Sequence, residues 1–301
     1  MSANEQFALR STAIDGITVV EATSDRSFSR HIHDQFGVGF LIHGAQVSFS
    51  GRGEVQANEG DVISVNPGEV HDGRPIGGDV RCWQMLYLDP GKVESIALAI
   101  DLPRGVELHH PVLIDQDVTR SFVKLLSQLR EPQPTRDYLA LETALLSVFA
   151  PLLGVLDAKT TCIPEGVRTV RAMIDEAPEM PLSLDEMSRL AGLGRYQFLR
   201  AFKRATGLPP CSYRLQLQLQ LARRLILAGT PLAEAAAHAG FADQAHMTRH
   251  FARSYGVRPG SLAANLKRKR GSSIIQSCLP DGTIPCTPQA LRCLTEQATL
   301  T

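Results

Sequence analysis

The chain has 301 residues, 44% hydrophobic and 21% charged, which is an ordinary soluble composition and length enough for two domains. Its 31 basic and 31 acidic side chains balance in total but not in place: residues 1–162 carry 13 Lys/Arg against 21 Asp/Glu, and residues 163–270 carry 17 against 8. An acidic half of net −8 joined to a basic half of net +9 points to one domain that meets a polyanion and one that does not.

At the start, Met1 to Val20 mixes Glu5, Arg10 and Asp15 among its apolar residues and lacks the apolar core of a signal peptide. From Phe28 to Leu88 the chain falls into short β-type runs separated by turns. Phe36–Ile42, Gln46–Phe49, Glu54–Ala57, Val62–Val65 and Arg81–Leu88 are the runs; Gly44, Gly51-Arg52-Gly53, Glu59-Gly60-Asp61 and Asn66-Pro67-Gly68 turn the chain between them. Short strands at such regular spacing predict an all-β sandwich or small barrel.

Helices follow. Asp117 to Arg130 carries Val118, Phe122, Leu125, Leu126 and Leu129 at helical spacing, and Glu131-Pro132-Gln133-Pro134 breaks it. Tyr138 to Gly154 reads as a second helix, apolar on most sides, with Pro151 placed to end or kink it. The apolar stretch Leu139 to Leu156 contains Glu142, Ser147 and Pro151 and is too broken for a membrane span. These helices either form a dimer interface or pack on their own barrel. Residues 157–164, with Thr160, Thr161 and Pro164, read as a linker.

The second half repeats itself. Leu184-Asp185-Glu186, Ala191-Gly192, Arg200-Ala201-Phe202, Gly207 and Pro210 recur as Leu232-Ala233-Glu234, Ala239-Gly240, Arg249-His250-Phe251, Gly256 and Pro259. The offset is 48 residues up to the Ala-Gly pair and 49 beyond it. Each copy reads helix, glycine turn, helix: a helix-turn-helix. Ser183 with Glu186 makes a capping box, and Thr230-Pro231 opens the matching helix of the second copy. The second helix of each copy is predicted over Arg195–Thr206 and Gln244–Tyr255. Phe198, Leu199 and Phe202 point inward in one, Met247 and Phe251 in the other.

That leaves Arg195, Tyr196, Gln197 and Arg200 outward in the first copy, and Gln244, His246 and Arg249 in the second. Arginine forks onto guanine or phosphate and glutamine onto adenine, so these types on the first turns of a helix suit base edges in a major groove. A lone pattern of this kind is usually a solvated face; two copies inside a domain of net +9 are harder to read that way. Between the copies, Leu215 to Leu221 alternates like a strand. Its Gln and Leu residues are nevertheless good helix formers, and the prediction is a helix from Pro209-Pro210 to Ala228, stopped by Gly229.

The six cysteines, Cys82, Cys162, Cys211, Cys278, Cys286 and Cys293, show no C-x-x-C spacing, so neither a zinc finger nor a thioredoxin-like motif is written. A reduced, cytoplasmic protein is the expectation. The basic run Lys267-Arg268-Lys269-Arg270 either touches phosphate or is solvated, and residues 268–301 read as a disordered tail.

Two resemblances sharpen this reading. His31-Ile32-His33 together with Gly60-Asp61-Val62-Ile63-Ser64-Val65-Asn66-Pro67-Gly68-Glu69-Val70-His71 resembles the two motifs of a cupin domain. A metal-binding cupin adds a carboxylate to three such histidines; here Gln35 and Gly37 stand in that neighbourhood, so no metal and no cofactor is expected, although Asp34 or water could substitute. His31 and His33 then either hydrogen-bond inside the barrel or line a pocket for an organic ligand. Residues 163–265 resemble the double helix-turn-helix domain of AraC/XylS-type transcription regulators. The residues that carry this are Ala191-Gly192, Phe198-Leu199-Arg200-Ala201-Phe202-Lys203, Gly207-Leu208-Pro209-Pro210, Ala239-Gly240-Phe241 and Phe251 to Pro259.

The resemblance implies an α+β two-domain chain. A cupin-like β-barrel with trailing helices over 1–156 binds an effector and dimerises, and an all-α double helix-turn-helix over 165–267 binds promoter DNA and contacts RNA polymerase. It carries base reading to Arg195, Tyr196, Gln197 and Arg200, and to Gln244, Ala245, His246 and Arg249. A homodimeric activator without membrane attachment is expected. The effector expected from similar regulators is an amino acid, with Arg30, His31, His33, His71 and Trp83 as its contacts. Gly194 replaces a capping Ser and Gln218 an Arg of the family pattern. The rival readings are a metal-dependent cupin enzyme tethered to nucleic acid by its helical half, and a purely architectural nucleic-acid binder.

Overall fold

A computed structural model describes residues 6–12, 14–130, 138–155 and 163–264. The chain forms two compact units, the first mainly Met1–Phe28 with His33–Asp157 and the second mainly Ala158–Ser273 with Ser29–Ile32; each is described by itself.

In chain order the N-terminal half runs β1 (Gln6–Ser11), β2 (Ile17–Ser24), β3 (Phe28–His31), β4 (Phe36–His43), β5 (Gln46–Ser50), β6 (Gly53–Ala57), β7 (Val62–Val65), β8 (His71–Pro75), β9 (Arg81–Leu88), α1 (Pro90–Ala99), β10 (Val106–Leu108), β11 (Val112–Leu113), α2 (Gln116–Arg130), α3 (Tyr138–Phe149) and β12 (Leu153–Val155). Six strands order as β1-β2-β9-β4-β7-β11, four as β3-β8-β5-β6, and β10 pairs with β12. The cupin-like expectation is met in its strands, with one correction. The strands make separate open sheets and do not close into a continuous barrel.

The pleat explains the layering, because successive side chains of a strand face opposite ways. On β9, Cys82, Leu86 and Leu88 join Phe36, Val38 and Phe40 of β4 in a core with Phe122, Leu125, Leu126 and Leu129 of α2 and Leu141, Ala144 and Val148 of α3. The apolar stripe of α2 is therefore covered by its own sheet, which decides one of the two readings left open for it. Met85 points the other way, into a small cluster with Leu41, Ile63 and Ala57. Helix α3 stops at Phe149, short of the predicted Gly154. Pro151 cannot continue it, and the freed Leu153–Val155 pairs with Val106–Leu108.

The second unit is helical: α4 (Glu165–Glu176), α5 (Leu184–Leu190), α6 (Arg195–Thr206), α7 (Pro210–Ala228), α8 (Leu232–His238) and α9 (Gln244–Tyr255). Both repeats fold as helix, turn, helix. Ser183 accepts from Glu186 N–H while the Glu186 carboxylate accepts from Ser183 N–H, completing the box seen in the sequence. The Ser183 hydroxyl, which also donates to that carboxylate, and then the Ser183 N–H hold the Glu186 carboxyl below the usual carboxylate range. The strand-like Leu/Gln run lies inside α7, which packs against α4, α6, α8 and α9. Helical winding turns its alternating residues around the axis, burying Gln216, Gln218 and Gln220 with Leu219, Ala222 and Ile226. Tyr213 on α7 donates to Asp175 of α4 at 2.6 Å, and burial together with that bond pushes its phenol up to about 12.

Gly192 and Gly240 turn their repeats with φ of +65° and +76°. A Cβ on Gly240 would lie 2.7 Å from the Glu179 carbonyl oxygen and 2.8 Å from Gln218 Nε2. Gln218, which stands in place of an arginine of the family pattern, donates its amide to the Gly240 carbonyl at 3.1 Å. Gly240→Ala is expected to lose at least about 1–2 kcal/mol for the left-handed backbone alone. Chemical denaturation of the second unit would measure it; unchanged stability would mean that the turn relaxes freely.

The expected 157–164 linker lies outside the described residues up to Cys162, as does the expected disordered tail at 268–301. Among the described residues no helix is long and apolar enough to cross a membrane.

Candidate functional site

Two regions carry side chains that the core does not need. In the second unit, α6 buries Phe198 and Phe202 completely and presents Arg195, Tyr196, Gln197 and Arg200 to solvent. Tyr196, an aromatic, is 81% exposed and takes no part in the core. Gly194 is the N-cap, and without a side chain there the Gln197 amide oxygen turns back to accept from the Gly194 N–H. Arg195 bends toward α5, where its Nε lies 3.0 Å from Asp185 Oδ1. Arg200 lies one turn further along the same exposed face.

The second repeat is built alike, with a proper cap. Asp243 accepts from His246 N–H at 2.6 Å, and α9 buries Met247 and Phe251. Gln244, Ala245 and Arg249 are exposed. His246 is half-buried: its ring meets Phe241 at 5.5 Å and His250 at 4.8 Å, and its Nδ1 is buried with no hydrogen-bond partner. His250 is held below the usual histidine range by burial and by the charges of His246, Arg253 and Arg249. The exposed members of the two sets thus occupy matching positions in the first two turns of matching helices.

His31, His33 and His71 come together. One ring nitrogen from each lies within 4.8 Å of those of the other two, although 40 residues separate His31 from His71 in sequence. Neighbouring β3 and β8 bring them there. His31 Nδ1 lies 2.8 Å from the Ser29 carbonyl and His71 Nδ1 lies 3.1 Å from the Glu69 carbonyl. Burial pushes the His71 imidazole down to about 4. His33 stacks edge-on with Tyr87 at 5.2 Å. Arg30, expected beside these residues, is exposed on the strand position next to the buried His31.

Trp83 makes T-shaped contacts with Phe7 and Phe28, each at 6.0 Å. Over it lies the guanidinium of Arg81, 4.9 Å from the ring and 1% exposed. Sequence reasoning missed Arg81. It reaches the Gln46 side chain and the carbonyls of Arg26 and Gly73, its Nε is unpartnered, and burial lowers its pKa to about 10. It remains a cation at neutral pH among neutral acceptors. An arginine opening a strand carries no sequence mark of such burial.

Comparison with known proteins agrees with this division. The AraC-like ligand binding domain matches residues 16–149, and a helix-turn-helix domain matches residues 187–265. The chain is 27% identical over 231 residues to an uncharacterized HTH-type transcriptional regulator, YbfI, of Bacillus subtilis, covering 74% of this chain and 82% of that protein. It is 34% identical over 93 residues, 30% of each chain, to the HTH-type transcriptional regulator MtrA of Neisseria gonorrhoeae. The structure of wild-type ToxT from Vibrio cholerae with unsaturated fatty acid bound has a TM-score of 0.50 at 10% identity, over 92% of this chain and 100% of that one, a likeness of fold. A ligand-binding domain followed by a helix-turn-helix domain defines a regulator of transcription and not an enzyme. The chain is similar to AraC-type transcription regulators in both of its domains.

Proposed function

We propose that this regulator reads a specific promoter sequence with α6 and α9 in successive major-groove segments, and that an effector in the first unit sets its affinity. The observation that carries the reading is the repeat itself. Two helix-turn-helix copies bury equivalent aromatic and apolar positions, Phe202 and Phe251 among them, and expose Arg200 and Arg249 at equivalent ones. The residues proposed to read bases are Arg195, Tyr196, Gln197 and Arg200, and Gln244, Ala245, His246 and Arg249. Arg195 and His246 have the added structural ties described above, so Arg200 and Arg249 are the primary readers.

The effector is a small polar molecule, an amino acid being the first to test, bound among His31, His33, His71 and Trp83. The output is activation in the cytoplasm by a homodimer that contacts RNA polymerase, as the family resemblance suggests. The test is selection of bound fragments from sheared genomic DNA by the full-length protein. A recovered motif of two short elements about one turn, ~34 Å, apart supports the reading. Affinity that follows salt and ignores sequence would replace it with an architectural binder.

A further inference from the structure

Helices α6 and α9 begin differently and converge on one chemical property. Gln197 on α6 and His246 on α9 stand 49 residues apart at equivalent positions, three residues before Arg200 and Arg249 respectively. Residues three apart on a helix are neighbours on its surface, so each forms a pair with its arginine. A glutamine amide offers both a donor and an acceptor, and so does a neutral imidazole through its two nitrogens.

In this fold each has its acceptor withdrawn. Gly194, the N-cap of α6, brings no side chain, and Gln197 Oε1 accepts from the Gly194 N–H at 3.3 Å. The group left for a partner is the amide nitrogen with its two N–H bonds. In α9 the cap is Asp243, which accepts from the His246 N–H at 2.6 Å, and the His246 ring is held by Phe241 and His250 at 5.5 Å and 4.8 Å. Nδ1 is the sealed nitrogen of this ring, and it has no hydrogen-bond partner. Buried N–H groups without an acceptor are rare, so Nδ1 carries the lone pair and Nε2 the proton. His246 is half-buried with Nε2 as its open nitrogen, again a donor.

Arginine carries donors only, so Gln197 with Arg200 and His246 with Arg249 each present donors with no acceptor beside them. In the major groove guanine shows two acceptors, N7 and O6. Adenine shows an acceptor and a donor, cytosine a donor, and thymine one acceptor beside a methyl group. The glutamine fork onto adenine needs the amide oxygen and nitrogen together on one base, and Gln197 has turned its oxygen back onto the helix start. We propose that Gln197 and His246 are donor-only readers that select guanine, each beside the base read by its arginine. The two elements of the site are then guanine-rich where these pairs land. This rests on the promoter-reading function above and names the base that two of its residues select.

The experiment uses the full-length protein and a fragment selected from genomic DNA, each guanine replaced in turn by 7-deazaguanine, which lacks the N7 acceptor and still pairs with cytosine. Wild-type affinity is expected to fall about three- to tenfold at positions in both elements, the size of one neutral hydrogen bond. In His246→Ala that sensitivity should vanish at one guanine and persist at the others. In Gln197→Ala it should vanish at one guanine of the other element. The quantity read is the ratio of one variant's affinities for two DNAs, so a general loss of stability cancels. If His246→Ala does not fold, Gln197→Ala on its exposed face decides. Sensitivity that persists at every guanine in both variants would overturn the proposal. So would an adenine whose replacement by purine, which lacks the N6 amino group, weakens the wild type and leaves Gln197→Ala unaffected. Selected fragments with no shared motif sink the promoter reading and this inference with it; a shared motif without these losses sinks this inference alone.

Discussion

Phe202→Ala is expected to destabilise the second unit by about 3–5 kcal/mol and to remove specific DNA binding at working temperatures. The side chain is fully buried, its ring 5.6 Å from Phe198 within α6 and 5.6 Å from Tyr213 on α7. Deleting it opens a cavity at the joint that fixes α6 against the connecting helix. Tyr213 in turn is held to α4 through Asp175, so three helices lose a shared support. Phe251→Ala in the equivalent position of α9 is expected to act alike, since Phe251 is 1% exposed and packs at 4.5 Å on Tyr255. Thermal or urea unfolding would measure both. The total stability of a domain is commonly only 5–15 kcal/mol, so either loss is a large share of it. A cost under about 1 kcal/mol for both variants would show that the two helices are not packed as described.

The second large effect concerns recognition and leaves the fold alone. Arg200→Ala and Arg249→Ala remove exposed side chains, and each is expected to cost about 1–3 kcal/mol of affinity on the selected site and little on random DNA. The asymmetry is the informative quantity. An arginine that forks onto a base edge contributes only where that base is present, whereas one on a phosphate contributes everywhere and steepens the salt dependence. Anisotropy titrations on both DNAs, at two salt concentrations, separate the cases. Equal loss on the two DNAs would demote that arginine to a backbone contact. Arg195→Ala serves as a contrast, since part of its effect would pass through the ion pair with Asp185.

Much of this fold is legible in the sequence because local chemistry and global packing agree. The turns at Gly44, Gly51–Gly53 and Asn66–Gly68 bracket β5, β6 and β7 as expected, and the repeat, offset by 48 and then 49 residues, places all four helices of the two helix-turn-helix copies. Helix α7 shows composition overriding a misleading period: Leu and Gln wind as readily as they alternate. Strand β2 was harder to see. It lies between β1 and β9, and its Thr18, Glu21 and Thr23 interrupt the apolar signal although Thr23 is buried and Glu21 takes bonds from Arg10 and Gln84. Helix α4 has an inward stripe of Val167, Val170 and Ile174 that periodicity could have found.

The candidate sites divide the same way. Exposed residues on a repeated helix are readable, since the repeat supplies its own control. The histidine cluster is only half readable: His31 and His33 share a local pattern, but their meeting with His71 depends on strand pairing that no spacing encodes. Arg81 was invisible for a related reason, as everything compensating it is a carbonyl, an amide or a ring from elsewhere in the chain.

Methylation-interference footprinting of the full-length protein on a selected genomic fragment tests the central claim most directly. Two paired recognition helices predict two short major-groove patches on one face of the DNA, centred about 10–10.5 base pairs apart. Arg200→Ala should then abolish interference in one patch, and Arg249→Ala in the other. A single patch, or protection spread evenly along the backbone with no base-specific interference, would contradict the account.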